Sequence, residues 1–333
     1  MAIKVVYLKL GPECNLHCKY CHAEHTTILF NPEILPVLKR FALARVNFGG
    51  GEPLLYWDKI KQVVSALGDG IRYRIVTNGT LFTSEIVEYC NEHRIRCYIS
   101  LDGSNTTRDM AWPIRWDLIR RLWFCGVSTA IYKENQDIRR TLESLNTIKE
   151  RYLTVEPEIW STFPNFVHST SKTGKLSDKE LADSYVNQMT ELVKEALGLF
   201  KKGHPSLFLW MAYAKFVRKK QFVGVNCCNA NFVSVLADGT VCICPYTYEK
   251  AGDIFHIDAI DWQQVQEKYS RVRCKTCELF SICGDSCCAN ITDDECYIMR
   301  HMHKNMVALM EKEGVTCEAL EKAGCPEREK VLV

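Results

Sequence analysis

No apolar run in this chain of 333 residues reaches the length that crosses a bilayer, and the N-terminus lacks the long apolar region of a secretion signal. Those two absences predict a cytoplasmic protein with no membrane partner. Charge of one sign is not in excess either. Lys and Arg number 42 against 40 Asp and Glu, which argues against a dedicated nucleic-acid binder, because phosphate contacts call for a basic surplus. Internal repeats and low-complexity tracts are also missing. What remains is globular composition, 47% hydrophobic and 25% charged, in a chain long enough for two domains or for a barrel with an appendage.

Cysteine is the residue in surplus, with 18 copies. Cytosolic thiols stay reduced, so a disulfide framework is not expected and the cysteines read as metal ligands or catalytic groups. They fall mainly in two places, a short run near the start and the stretch from Cys227 onward.

The first run is Cys14-Asn15-Leu16-His17-Cys18-Lys19-Tyr20-Cys21, directly after the strand-like segment Ile3–Leu10. Three thiolates on one loop can hold three irons of a cubane and leave the fourth iron open, which makes a site for chemistry and not only for electron transfer. A zinc knuckle is the competing reading, but zinc sites usually pair one C-x2-C unit with a second downstream.

Strand-like runs recur at Ile3–Leu10, Val46–Phe48, Tyr73–Thr77, Cys97–Ser100, Val127–Tyr132 and Val155–Trp160. Helix-like runs follow them at Pro32–Ala44, Asp58–Leu67, Ser84–His93, Leu118–Phe124, Ile138–Tyr152 and Asp178–Phe200. This alternation predicts an α/β fold, a parallel sheet curled by right-handed crossovers into a barrel or part of one. Residues 201–226 mix Lys201, Lys202, Lys215, Arg218, Lys219 and Lys220 with Phe208, Trp210, Tyr213, Phe216 and Phe222. Such a segment can dock an acidic peptide or a nucleic acid, but a helix with a solvated basic face is the preferred reading.

Parallel barrels do their chemistry at the C-terminal ends of the strands. The three-cysteine loop follows the first strand, Gly49-Gly50-Gly51-Glu52-Pro53 the second, Thr77-Asn78-Gly79 the third and Ser100-Leu101-Asp102-Gly103 the fourth. Glycines there let a ligand approach the backbone, and Ser100 and Asp102 suit ribose hydroxyls or an amine. Tyr20 puts an aromatic face beside the cysteines, where it packs on an adenine or on its own loop.

C-x3-C-x-aromatic-C, then Gly-Gly-Glu-Pro, then the Ser and Asp after the fourth strand, resembles the radical S-adenosylmethionine (AdoMet) superfamily over the first ~200 residues. The resemblance implies a partial (β/α)6 TIM-like barrel over residues 1–200. It implies a [4Fe–4S] cluster on Cys14, Cys18 and Cys21, with AdoMet held by Tyr20, Gly50, Gly51, Glu52, Thr77, Asn78, Ser100 and Asp102. Reductive cleavage of the sulfonium would give a 5′-deoxyadenosyl radical that takes a hydrogen atom from substrate. An external donor such as flavodoxin or ferredoxin would supply the electron.

The later cysteines resemble the SPASM extension of the same superfamily. Cys228 precedes Gly239 by ten intervening residues and Cys244 follows after four more. Then come Cys274, Cys277, Cys283 and Cys287 in C-x2-C-x5-C-x3-C spacing, and finally Cys296. That resemblance implies two auxiliary [4Fe–4S] clusters, three clusters in all. Cys274, Cys277, Cys283 and Cys296 would hold the outer one, and Cys228, Cys244 and Cys287 the inner one. Cys227 or Cys242 stands as a fourth inner ligand, or that iron stays open to substrate. A zinc ribbon is the alternative. The domains then run as barrel 1–200, bridge 201–226, SPASM module 227–310 and tail 311–333. Cys90, Cys97 and Cys125 fall on helix or strand patterns and read as small core residues. His22, His25, His301 and His303 show no partner in the sequence.

Auxiliary clusters in this superfamily accept an electron from a substrate radical, so the resemblance implies oxidation or cross-linking of side chains in a ribosomally made peptide. Sulfatase-maturing relatives carry Asp right after the second auxiliary cysteine. Here Cys244 is followed by Pro245 and Tyr246, which argues against formylglycine formation. The barrel starts at residue 3, so no separate leader-binding domain is expected ahead of it. Two readings stand beside the first. One is an epimerase or dehydrogenase of a peptide or small molecule, with Cys242 or Cys288 as hydrogen donor. The other is a non-catalytic, metal-stapled binding module.

Overall fold

The computed structural model describes residues 3–18, 21, 29–102, 114–131, 136–153, 165–166, 179–218, 232–242, 250–269, 277–283 and 293–323. Five parallel strands build the first half: β1 (Val5–Lys9), β2 (Arg45–Gly49), β3 (Arg72–Thr77), β4 (Arg96–Ser100) and β5 (Cys125–Ser128). They lie in the order β1-β2-β3-β4-β5, each parallel to the next. Helices cross over between them: α1 (Ile34–Lys39), α2 (Trp57–Leu67), α3 (Ser84–Glu92) and α4 (Trp116–Ile119). Then follow β6 (Ala130–Ile131), α5 (Ile138–Leu153) and β7 (Asn165–Phe166), with β6 and β7 again parallel. This is the expected TIM-like α/β winding. The expected strand Val155–Trp160 lies outside the described residues.

Alternation along each strand decides what each face holds. Val6, Leu8, Val46, Phe48, Tyr73, Ile75, Cys97 and Ile99 are all buried, together with Ile60, Val63 and Val64 of α2 and Ile86, Val87 and Cys90 of α3. Helices and strand faces thus share one apolar layer, and Cys90 and Cys97 meet in it at 3.8 Å between sulfurs. Their core placement is as the sequence suggested. The opposite strand face lines the barrel.

Two helices are shorter than their apolar patterns. The pattern Pro32–Ala44 yields only Ile34–Lys39, because the N–H groups of Ala44 and Arg45 both donate to the Lys4 carbonyl, at 2.7 and 3.1 Å. Sheet pairing claims that backbone first. The pattern Leu118–Phe124 yields one turn, Trp116–Ile119. Asn91 of α3 takes over the chain beyond it, accepting from Trp123 N–H at 2.7 Å and donating to the Arg121 carbonyl at 2.9 Å.

The second half begins with α6 (Lys179–Lys201) and α7 (Leu207–Phe216). Helix α7 buries Phe208, Tyr213 and Phe216, while Arg218 lies over Trp210 at 5.5 Å and pairs with Glu321. In the described part of the basic, aromatic bridge, Phe208, Tyr213 and Phe216 thus pack inward, and the half-buried Trp210 is covered by Arg218. Strand β8 (Phe232–Leu236) then joins the main sheet, parallel to β1, and β9 (Thr240–Cys242) and β10 (Lys250–Asp253) extend it antiparallel. One sheet thus runs through the boundary expected at residue 227. Further helices are α8 (Trp262–Tyr269), α9 (Phe280–Cys283), α10 (Asp293–Glu313) and α11 (Cys317–Ala323). Helix α10 lies along α6, burying Met302, Met306 and Met310, with Asn305 donating to Thr190 at 2.9 Å and Lys201 pairing with Glu313 at 3.0 Å. Among the described residues no helix is long and apolar enough to cross a membrane.

Candidate active site

Three loops meet at the C-terminal ends of β1, β2 and β3, and each explains the residues of another. The loop after β2 presses on the cysteine loop backbone to backbone. Gly51 N–H donates to the Gly11 carbonyl at 3.0 Å and Glu52 N–H to the Glu13 carbonyl at 2.8 Å. No side chain fits there. A Cβ on Gly50 would stand 2.2 Å from the Gly11 oxygen, at a φ of +127°, and one on Gly51 would stand 2.2 Å from the Glu13 oxygen. The direction a side chain would take at each glycine is thus occupied by the backbone of the cysteine loop.

Glu52 ties the second and third loops. It is buried, and its Oε1 accepts from Leu54 N–H at 3.0 Å and from the Thr77 hydroxyl at 2.7 Å. Its Oε2 accepts from Asn78 N–H at 2.8 Å. Asn78 then closes the ring. Its amide donates to Asn15 Oδ1 at 2.9 Å and reaches Cys14 Sγ at 4.0 Å, while its oxygen accepts from the Thr80 hydroxyl at 2.7 Å. Asn15 in turn donates to Thr80 Oγ1 at 2.9 Å, and the Tyr56 hydroxyl accepts from Glu13 N–H at 2.9 Å. Asn15, Tyr56 and Thr80 were not legible as site residues. The bonds that tie them across loops span 43 to 65 positions, so no local pattern marks them.

Within the cysteine loop, Leu16 N–H donates to Cys14 Sγ at 3.4 Å and Cys21 N–H to the Cys18 carbonyl at 3.0 Å. Burial pushes the Cys14 thiol above its ordinary range, and the nearby Glu52 and Cys21 charges add to it. Cys14, Cys18 and Cys21 are all half-exposed and none is in a disulfide. Among the described residues no three His, Cys, Asp or Glu side chains converge on a point that one metal ion would fill. A cubane takes one thiolate at each of several corner irons, so its ligands stand farther apart than those of a single ion. The all-sulfur donor set on one loop fits that chemistry.

The fourth loop is partly described. Ser100 ends β4 opposite Ser128, and Asp102 is buried just beyond, where Leu101 N–H donates to the Ser128 carbonyl at 2.9 Å. Tyr20 lies outside the described residues, as do Cys227, Cys228, Cys244, Cys274, Cys287 and Cys288. Of the expected auxiliary ligands, Cys283 ends α9, and Cys277 and Cys296 both lie against Arg300, whose Nη2 is 3.6 Å from Cys277 Sγ. The Cys296 sulfur is the largest influence holding that guanidinium's affinity for its proton up. Cys242 is buried at the end of β9, opposite Ser234. His301 pairs with the Tyr297 carbonyl and His303 with the Phe216 carbonyl, so both serve helix packing.

This geometry meets an independent match: residues 8–162 fit the Radical SAM superfamily. That segment is similar to radical SAM domains. Among curated relatives, the radical SAM cyclopropyl synthase TigE of Paramaledivibacter caminithermalis is 30% identical over 131 residues, 31% of this chain and 28% of its own. A probable GTP 3′,8-cyclase of Methanococcus maripaludis is 31% identical over 109 residues, 30% of this chain and 37% of its own. The chain therefore spans about a third of the length of each of these two relatives. Solved structures agree over far more of the chain. The structure of anSMEcpe with bound AdoMet and Cp18Cys peptide superposes with a TM-score of 0.66 at 17% identity, covering 94% of this chain and 99% of that one. Streptococcus suis SuiB bound to precursor peptide SuiA superposes with a TM-score of 0.60 at 18% identity, covering 86% and 72%. At such identities the likeness concerns fold, and it extends past the radical SAM domain into the C-terminal half.

Proposed function

We propose that the chain is a radical AdoMet oxidoreductase that takes a hydrogen atom from a peptide substrate and oxidises or cross-links its side chains. The observation that carries this reading is the ring of bonds Glu52–Thr77–Asn78–Asn15 around Cys14, at the strand ends of a radical SAM domain. It fixes the thiolate loop against two neighbouring loops, so ligand positions are set before any cluster binds.

Cys14, Cys18 and Cys21 would hold a [4Fe–4S] cluster. Tyr20, Gly50, Gly51, Glu52, Thr77, Asn78, Ser100 and Asp102 would bind AdoMet around it, as the resemblance implies. The cluster, once bound, supplies the single electron that cleaves the sulfonium. The protein's own share is positional. Glu52 holds the Asn78 backbone, Asn78 steadies Cys14, and the glycines let the β2 loop close on the cysteine loop.

Cys277 and Cys296, gathered on Arg300, support an auxiliary cluster shared with Cys274 and Cys283. A second would use Cys228, Cys244 and Cys287, with Cys227 or Cys242 as fourth ligand. The first electron of the oxidation would leave the substrate with the abstracted hydrogen atom and these clusters would take the second, while a flavodoxin or ferredoxin would supply the separate electron that reduces the N-terminal cluster. The peptide-bound forms of anSMEcpe and SuiB support a peptide as substrate. The GTP 3′,8-cyclase relative supports a second reading, a small anionic molecule.

The test is anaerobic reconstitution with iron and sulfide, then dithionite and AdoMet. Release of 5′-deoxyadenosine supports the reading. A fully loaded protein that releases none contradicts it and favours a metal-stapled binding module.

A further inference from the structure

The barrel face of the sheet carries a charge pattern that the cofactor site does not use. Register sets its rungs. Phe232, Val5, Arg45 and Arg72 share one rung, and Ser234, Tyr7, Asn47, Arg74 and Arg96 share the next. Leu236, Lys9 and Gly49 form the third, at the cofactor end. Among the described residues these rungs hold five basic side chains and no acidic one, where barrel interiors usually stack branched apolar residues.

Contacts confirm that these residues share one space. The Arg74 guanidinium lies 3.9 Å from the centre of the Tyr98 ring, and a Cβ on Gly49 would strike the Tyr7 ring. Arg45 is held down to about 10 by burial, then by Arg74 and Arg72, with Tyr98 acting the other way. No carboxylate is among the groups that act on it.

The same face concentrates unmet hydrogen bonds. Nε and Nη1 of Arg45, Nε of Arg74, Oδ1 of Asn47 and Oγ of Ser234 are buried without a partner among the described residues. They are five of seven such side-chain atoms in the described structure. Folded proteins satisfy nearly all buried polar atoms, so a cluster of orphans on one wall calls for a ligand. Water would satisfy the bonds but leave Arg45 facing Arg74 and Arg72. An anion answers both.

We propose that this wall is a carboxylate socket, in which Arg45 and Arg74 clamp an acidic side chain of the substrate while Asn47 and Ser234 hold the adjoining peptide bond. The inference rests on the peptide reading given above and names its substrate class. Guanidinium groups match a carboxylate with paired N–H donors. The socket also presents an acceptor, Asn47 Oδ1, which a peptide N–H satisfies and a polyphosphate does not. Arg45 and Arg74 lie four and three residues below the strand ends Gly49 and Thr77, on the order of 10 Å from the cofactor loops. The clamped side chain therefore belongs to a residue roughly two to four positions from the one attacked, at about 3.3 Å per extended residue.

Reconstituted protein, Arg45→Gln and Arg74→Gln are titrated calorimetrically with glutarate and with inorganic pyrophosphate, and their ligand-free melting temperatures are measured. The expected result is glutarate binding by wild type, weakened at least about tenfold in each variant. Each variant should also melt no lower than wild type, since it loses like-charge repulsion. The proposal is overturned by a wild type that binds no glutarate, by variants that bind it unchanged, or by pyrophosphate binding about tenfold tighter than glutarate. A ligand-free melting point lowered by more than about 5 °C also overturns it, because that reveals a structural partner for the arginine. Release of 5′-deoxyadenosine by wild type is scored separately, so failure of the radical reading and failure of the socket are told apart.

Discussion

Glu52 is the residue on which the site's geometry turns. Its carboxylate takes three donors from two loops in a buried setting. Glu52→Ala strands those donors without partners, at a cost on the order of 3 kcal/mol, and frees the Asn78 backbone that steadies Cys14. We expect a melting point several degrees lower and a tenfold or greater loss of 5′-deoxyadenosine release. An unchanged melting curve would show the carboxylate to be dispensable. Gly51→Ala makes a sharper claim, because its methyl would stand 2.2 Å from the Glu13 oxygen. That variant should lose iron bound at the N-terminal cluster, read from its absorbance after reconstitution, and Gly70→Ala, where a Cβ meets open space, should not. The position of the thiol loop and of Gly-Gly-Glu at strand ends was legible in the sequence, because each directly follows a strand-like run. Asn15, Tyr56 and Thr80 were not, because only the folded barrel brings the three loops together. The close backbone packing of Gly50 and Gly51 on the cysteine loop was likewise not legible, because Gly11 and Glu13 meet them only in the folded barrel.

At the scale of elements, the seam between α6 and α10 links the barrel half to the expected cluster module. Met302 and Met306 are fully buried in it, and Cys296 sits one turn before Arg300 near the start of α10. Met302→Ala should cost about 2–4 kcal/mol by opening a cavity. If α10 positions Cys296, the same variant should also lose iron from the C-terminal half while keeping the N-terminal cluster. Full iron content at the lowered melting point would uncouple the helix from the cluster. The strand and helix rhythm from β1 to α5 was readable because its period changes from element to element. The early ends of α1 and α4 were not, since Lys4 and Asn91 cause them from distant positions. Nor did the sequence reveal that β8 pairs with β1, because a parallel pairing across more than two hundred residues leaves no local mark.

At the scale of the whole molecule, the sheet is continuous from β5 through β1 to β10, so the barrel and the segment that follows Cys228 share hydrogen bonds. That continuity places Ser234 on the same rung as Tyr7, Asn47 and Arg74, and it makes β8 a neighbour of β1 in the barrel sheet. Three clusters predict about twelve irons per chain after anaerobic reconstitution. Replacing Cys14, Cys18 and Cys21 together by Ala should lower that by about four and leave the rest. A zinc content near two with little iron would replace clusters by single ions.

The most direct measurement is 5′-deoxyadenosine released by reduced, cluster-loaded protein given AdoMet, compared with the Cys14→Ala, Cys18→Ala and Cys21→Ala variants. The account predicts steady release by wild type and none by any of the three. Release that survives the loss of Cys14, Cys18 or Cys21, or loaded wild type that releases nothing, would contradict it.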